Sequence, residues 1–186
     1  MTTPRATAAS SAAVTGIWIA LIAGLAVFGS FAFACAAPFA AIAALAALTM
    51  RRAEGLALVV VAWLANQAVG FILLGYAHTA DSYAWGAAIG IAAVLGYFAA
   101  SVIAATTRSA LVASVTAFLS AFAAYQAALY AFGLMTSYAG DGFSAAIVTE
   151  VLTINAVAFA AFLVVHRAAV ALTLAPPAPR PTAVSA

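Results

Sequence analysis

Charged residues are scarce in this chain of 186 residues, because only four are acidic and six are basic. Charged side chains make up 5% of the sequence, whereas they make up about 25% of an average soluble chain. Such a small number of polar side chains could not cover a surface exposed to water. The composition therefore excludes a soluble globular domain, and six scattered arginines exclude the clustered basic face that nucleic acid requires.

Other absences narrow the function further. The single cysteine, Cys35, excludes an internal disulfide framework. The sequence has no phosphate-binding glycine loop, no nucleophile elbow and no HExxH motif, so we expect no enzyme, no cofactor and no metal. His78 and His166 fall at opposite ends of the predicted helices and could not share a metal. A soft metal site would need the separate residues Cys35, His78 and Asp81 to converge on the outer face.

Apolar segments dominate what is present. The sequence is 68% hydrophobic with a mean hydropathy of +1.21, and runs of about 20 apolar residues suffice to cross about 30 Å of hydrocarbon. This pattern predicts an all-α polytopic membrane protein with about six transmembrane helices. The same pattern divides the chain into an N-terminal tail at 1–13, a transmembrane domain at 14–170 and a Pro-rich C-terminal tail at 171–186. The six apolar segments are 14–34, 37–50, 55–77, 83–106, 110–135 and 144–167.

The first two segments need a separate interpretation. Together they are too long for one crossing, and Pro38 suits the first turn of a new helix. We therefore expect a tight re-entry around Cys35–Pro38. Residues 32–37 read AFACAA, which resembles a signal-peptide cleavage site. The apolar core before that site is longer than the usual 7–15 residues, which favours a retained membrane segment over a cleaved one.

The arginines predict the orientation of the bundle, because cytoplasmic loops are enriched in basic residues. With six helices and a cytoplasmic N-terminus, every arginine falls on the cytoplasmic side. The predicted outer loops at 76–83 and 136–144 contain Asp81 and Asp141 and no basic residue. We therefore expect both termini in the cytoplasm and a bacterial-type inner membrane. The arginines are Arg5, Arg51, Arg52, Arg108, Arg167 and Arg180.

Polar side chains within the predicted helices share a depth, estimated from a rise of about 1.5 Å per residue. They lie between the midplane and the outer face, and several are three or four residues apart, the spacing of one helix face. If the third, fifth and sixth helices were adjacent, these side chains would line a pocket open to the outside. The predicted ligand-binding residues are Trp63, Asn66, Gln67, Tyr125, Gln126, Tyr130, Glu150, Thr153 and Asn155.

Each group also has a structural interpretation. Glu150 is a functional candidate because a carboxylate within hydrocarbon is costly. It could instead reach interfacial water, or be protonated and bonded to Thr153 or Gln126. Asn66 and Gln67 could bind a ligand or serve only as hydrogen-bonding contacts between helices. Gly86 and Gly90 form a small-residue pair separated by three residues. Their spacing predicts close helix packing in the fourth span.

The stretch APFAAIAALAALTMRRAEGLALVVVAWLANQAVGFILLGY, residues 37–76, combines a short helix begun by proline, a basic turn and a helix with polar outer residues. This organisation resembles the early helices of substrate-binding S-components of energy-coupling factor vitamin transporters. The resemblance implies a compact six-helix protein, an outward-facing pocket and a separate coupling subunit with ATPases. A face formed by Ala36, Ala40 and Ala44 is similar to the small-residue faces by which S-components dock.

The sequence therefore supports three functional hypotheses. The first is a solute-binding and uptake component for a small polar or cationic molecule, such as a vitamin. Amides would orient that solute, aromatic rings would stack on it, and Glu150 would pair with positive charge. The second is a structural or assembly subunit of a larger membrane complex without a small-molecule ligand. The third is a proton- or ion-coupled carrier that uses Glu150.

Overall fold

A computed structural model describes residues 37–136 and 141–172, together with Gly16, Ala20 and Gly24, which are helical. The predicted N-terminal tail, the rest of the first apolar segment and the C-terminal tail after Leu172 lie outside the described residues. Residues 137–140 of the second predicted outer loop also lie outside the described residues. Whether the first segment is cleaved therefore stays a prediction.

Residues 37–136 and 141–172 contain five α-helices and no strand, which confirms the all-α class. The connections between them are short, so the long helices α2, α3 and α4 run antiparallel in sequence order. A π-helical turn at Val69–Leu73 prolongs α2, and a 3₁₀ turn at Asp141–Phe143 precedes α5. The helices are α1 at Phe39–Thr49, α2 at Arg52–Ala68, α3 at Ala80–Thr106, α4 at Ala110–Met135 and α5 at Ala145–Ala171.

Four of these helices are long and apolar enough to cross a membrane. With its π turn α2 has 22 residues, α4 has 26, and α3 and α5 have 27 each. At 1.5 Å per residue these lengths are about 33 to 40 Å, which exceeds the hydrocarbon thickness of about 30 Å. The chain is thus a helical membrane protein. All arginines among the described residues lie at one end of the bundle: Arg51, Arg52, Arg108 and Arg167.

Two helices begin earlier than predicted because side-chain oxygens accept hydrogen bonds from backbone N–H groups at their N-terminal ends. The Glu54 carboxylate accepts the Arg51 N–H at 3.4 Å, and α2 begins at Arg52 rather than at 55. The Thr79 hydroxyl accepts the Ser82 N–H at 3.2 Å, and α3 begins at Ala80 rather than at 83. Side-chain oxygens at these positions satisfy N–H groups that have no partner within the helix.

The shortest helix, α1, lies at the centre of the bundle. Its 11 residues measure about 16 Å, or roughly half the hydrocarbon thickness. It packs against all four long helices, and every residue from Phe39 to Ala46 is at most 2% exposed. The second segment is therefore an enclosed half-helix, unlike the complete second crossing that the six-helix prediction assumes.

Small residues allow this enclosure. A Cβ atom on Gly55 of α2 would lie 3.1 Å from the Ala46 carbonyl oxygen of α1. One on Gly96 of α3 would lie 3.0 Å from the Ala121 carbonyl oxygen of α4. Backbones that approach so closely gain van der Waals contact, which drives helix association where lipid offers no hydrophobic force.

The N-terminal end of α1 is capped by a side chain from another helix. The Ala41 N–H donates to Asn155 Oδ1 of α5 at 3.2 Å, and Asn155 Nδ2 donates to the Val151 carbonyl at 2.9 Å. Asn155 is completely buried. First-turn N–H groups lack partners within their own helix, and leaving one unsatisfied inside an apolar bundle is costly. Asn155 therefore fixes the start of α1 against α5.

We expect Asn155→Leu to lower the free energy of unfolding by about 1–3 kcal/mol, because it leaves the buried Ala41 N–H without its acceptor. Unfolding of the purified chain in mixed micelles of mild detergent and dodecyl sulfate measures the change. Thr153→Val is the matched control, since the exposed Thr153 hydroxyl bonds only the Thr149 carbonyl of its own helix. Equal stabilities of the two variants would contradict the capping role.

Candidate functional site

Two predicted site residues converge at the N-terminal end of α1. Asn155 reaches it from α5, and Tyr125 reaches it from α4. The Tyr125 ring packs on the Phe39 ring at a centroid distance of 6.2 Å with a tilt of 38°. Tyr125 is buried, and its hydroxyl makes no hydrogen bond to any residue that the structure describes. A tyrosine hydroxyl can donate one hydrogen bond, so this position is a candidate for contact with a bound molecule.

Trp63 and Gln67 instead form part of the contact between α2 and α3. The Trp63 indole Nε1 donates to the Gly86 carbonyl at 2.8 Å. A Cβ on Gly86 would lie 2.5 Å from Gln67 Oε1, and one on Gly90 would lie 2.6 Å from a ring carbon of Trp63. The Gly86 and Gly90 pair therefore provides the flat surface on which Trp63 and Gln67 pack.

The neighbouring amides are also close to each other. Gln67 Nε2 donates to Asn66 Oδ1 at a long 3.4 Å, and both side chains are half-buried. They lie one turn before the π turn, where the Leu74 N–H donates to the Val69 carbonyl at 3.0 Å. Gln67 therefore lies at the α2–α3 contact beside Gly86, and Asn66 lies next to it on α2.

Helix α5 separates its polar residues onto two faces. Glu150 and Thr153 are exposed, and they lie on the face opposite Asn155. Because Asn155 faces α1, Glu150 is directed away from the N-terminal end of α1, and it has no ion-pair partner among the described residues. The buried face packs on α1 and follows an alternating spacing of four and three residues: Asn155, Phe159, Phe162, His166 and Ala169.

The two remaining predicted residues follow the outer part of α4. Gln126 is half-buried, and Tyr130 is exposed. The Tyr130 ring meets the Phe143 ring edge-on at a centroid distance of 5.3 Å, next to the start of α5. This location suits an aromatic residue at the membrane boundary.

The predicted residues therefore do not gather into one pocket among the described helices. The proposed adjacency of the third, fifth and sixth predicted helices, here α2, α4 and α5, is not what the structure has, because α1 lies between them. Helices α4 and α5 touch only locally, where the Phe118 and Phe159 rings stack at 5.1 Å.

An aromatic cluster at the outer end was not predicted as a unit. The Phe71 ring stacks on the Tyr83 ring at 4.9 Å and also packs on the His78 ring at 5.4 Å. His78 Nδ1 lies 2.7 Å from the Tyr83 hydroxyl. Within the described ranges no three His, Cys, Asp or Glu side chains group together, and Cys35 lies outside those ranges. The cluster closes the turn between α2 and α3.

Sequence reasoning also missed Phe39 and the central position of α1. A usable signal was present, since residues 39–48 are apolar on every side of the helix. A helix that is hydrophobic all round is buried rather than at a surface. In a membrane chain this signal is weak, because a lipid-facing helix has the same composition.

These features define the class of the molecule: a helical membrane protein whose long helices enclose a capped half-helix. No protein-family model matches the chain, and neither a curated protein nor a solved structure gives a significant match. The resemblance to S-components is therefore still a prediction.

We expect Gly90→Ala to destabilise the bundle by about 1–3 kcal/mol, because the Trp63 ring must move away from the added methyl group. Gly142→Ala is the matched control, since nothing lies within 4 Å of a Cβ at that position. Thermal unfolding of the two variants in detergent, followed by tryptophan fluorescence, compares them. If Gly90→Ala unfolds at the temperature of the unaltered chain, the close contact between α2 and α3 is not required.

Proposed function

We propose that the chain is an integral-membrane solute-binding component of an uptake system, with its site at the N-terminal end of α1. The observation that carries the proposal is the half-helix that begins inside the bundle. Non-helical backbone at membrane depth is tolerated where it is buried in protein or lines a cavity. Transporters use such interrupted helices to present backbone groups to a solute near the midplane.

The proposed arrangement in the membrane has six segments, with both termini in the cytoplasm of a bacterial cell. The position of the described arginines at one end of the bundle supports it, because basic residues favour the cytoplasmic side. The acidic residues Asp81 and Asp141 lie at the other end. On this arrangement α1 extends from mid-depth to the cytoplasmic face, and its N-terminal end points outward.

The chemistry at this end of α1 favours a small polar solute that carries an acceptor group, such as a carboxylate. A helix N-terminus has a partial positive charge that attracts negative groups. The Tyr125 hydroxyl can donate a hydrogen bond to the same group. The cationic alternative relied on Glu150, whose side chain is on the opposite face of α5 from Asn155. A neutral or anionic solute therefore fits the described residues better.

Energy for uptake would come from a separate coupling subunit with ATPases, as the resemblance to S-components implies. The sequence contains no nucleotide-binding motif of its own. Under this proposal the chain binds the solute and the partner drives its release into the cell.

We expect Tyr125→Phe to weaken solute binding about tenfold, because it removes one hydrogen bond to a charged group and keeps the ring that packs on Phe39. A thermal-shift panel of vitamin-like carboxylates, neutral polar molecules and cations, added to the purified chain, first identifies the stabilising solute. Titration of both proteins by calorimetry then gives the ratio of dissociation constants.

Tyr130→Phe is the matched control, because Tyr130 is exposed and its ring packs on Phe143. It should bind the solute as tightly as the unaltered chain does. Glu150→Gln should also leave the affinity unchanged. A panel in which no solute stabilises the chain rejects the proposal. If a cation binds and its binding depends on Glu150, the site lies on the other face of α5.

The second candidate is a structural or assembly subunit of a larger membrane complex. The packing of Trp63 and Gln67 on Gly86 and Gly90 favours it, because polar groups there serve helix contact. The exposed Glu150 favours it too, since a carboxylate on a membrane-facing surface needs a partner. Purification from the native membrane distinguishes the two: an attached ATPase module supports uptake, and a stable complex without one supports assembly.

A further inference from the structure

A groove runs along the contact between α2 and α3 on the outside of the bundle. It consists of two depressions of about 380 Å³ each, which share the Phe98 ring. The depression toward the outer end is apolar and has Trp63, Gly90 and Ile91 in its walls. The depression toward the arginine end includes Arg52 and Ser101. The groove thus consists of an apolar depression and a charged one, which adjoin at Phe98.

Hydrogen bonds and close packing hold the walls of this groove in place. The buried Tyr97 hydroxyl donates to the Arg52 carbonyl at 2.9 Å and so ties the start of α2 to α3. Gly55 leaves room for the Tyr97 ring, because a Cβ there would lie 2.9 Å from it. Further along, the Trp63 indole is fixed by its bond to the Gly86 carbonyl. The groove is thus a built feature of the α2–α3 contact.

A positive charge lies at one end of the groove without a carboxylate beside it. The Arg52 guanidinium carbon is 5.6 Å from the centre of the Phe98 ring, and the residue is exposed. No ion pair of Arg52 occurs among the described residues. Guanidinium presents several N–H donors in a geometry that matches phosphate oxygens. The Ser101 hydroxyl already donates to the Tyr97 carbonyl at 2.7 Å, so Arg52 supplies the donors at this end.

The length of the groove matches one leaflet of a bilayer. Ser101 follows Gly90 by eleven residues, which is about 16 Å along α3. Half of the hydrocarbon thickness is about 15 Å. A phosphate at Arg52 would therefore place an acyl chain along the Phe98 and Ile91 side chains, with its end near Gly90.

We propose that this groove binds one anionic phospholipid of the leaflet at the arginine end, with its phosphate on Arg52 and an acyl chain over Phe98. The charge at Arg52 selects an anionic headgroup, because a basic residue near the membrane surface attracts anionic lipid. The apolar walls of the groove would pack against the acyl chain. This inference is independent of the proposed solute, which would bind at the opposite end of α1.

Native mass spectrometry of the full chain released from detergent tests the site. Phosphatidylglycerol and phosphatidylcholine with identical acyl chains are the probes. We expect phosphatidylglycerol to bind more tightly and Arg52→Gln to weaken it about fivefold, the effect of one basic residue at a membrane surface. Arg52→Gln should weaken phosphatidylcholine binding less, because that headgroup has the same phosphate but no net charge. Ile91→Trp, which fills the apolar depression at an exposed position, should weaken both lipids.

Two variants outside the groove are the matched controls. Arg108→Gln removes an exposed arginine at the same end of the bundle, and Val115→Trp enlarges an exposed side chain of α4. Both should bind phosphatidylglycerol like the unaltered chain. Equal affinity for the two lipids, or equal losses in Arg52→Gln and Arg108→Gln, overturns the proposal. A photoreactive group at position 91 that captures a protein in native membranes, rather than a phospholipid, also overturns it.

Discussion

The hydrogen bond between Asn155 and the Ala41 N–H is the interaction on which the rest of the bundle depends. A half-helix that starts inside an apolar protein exposes backbone N–H groups where no water can satisfy them. The long helices cannot enclose α1 unless one of them supplies an acceptor at that depth. Asn155 does so, and its own amide is positioned by the Val151 carbonyl. The cap therefore determines both where α1 begins and how α5 is rotated about its axis.

Rotation of α5 then decides the position of every other polar residue on that helix. With Asn155 turned toward α1, the residues Glu150 and Thr153 must lie on the far side. The same constraint applies on α2, where Trp63 and Gln67 face α3 because glycine at positions 86 and 90 leaves room there. A few close contacts thus direct these polar side chains toward different parts of the bundle, although they lie at a similar depth in the membrane.

This separation explains which parts of the structure could be predicted. Apolar runs located the long helices, because crossing hydrocarbon requires length and a continuous apolar sequence. Spacing of four residues correctly placed Trp63 and Gln67 on one helix face. Which helices are adjacent does not follow from spacing, since it depends on packing between segments. The central position of α1 could not be predicted from the sequence either. Lipid and the protein interior both select apolar side chains, so composition does not distinguish a lipid-facing helix from a buried one.

Asn155 has a structural role as the cap of α1. A side-chain amide has two N–H donors and two acceptor lone pairs. The described contacts use one donor, on the Val151 carbonyl, and one lone pair, on the Ala41 N–H. Because Asn155 is completely buried, both contacts serve the fold. Tyr125 differs in this respect, because its ring serves the packing on Phe39 and its hydroxyl has no structural role among the described residues. Under the proposed function, solute recognition would therefore change at Tyr125 without disturbing the cap on which the bundle depends.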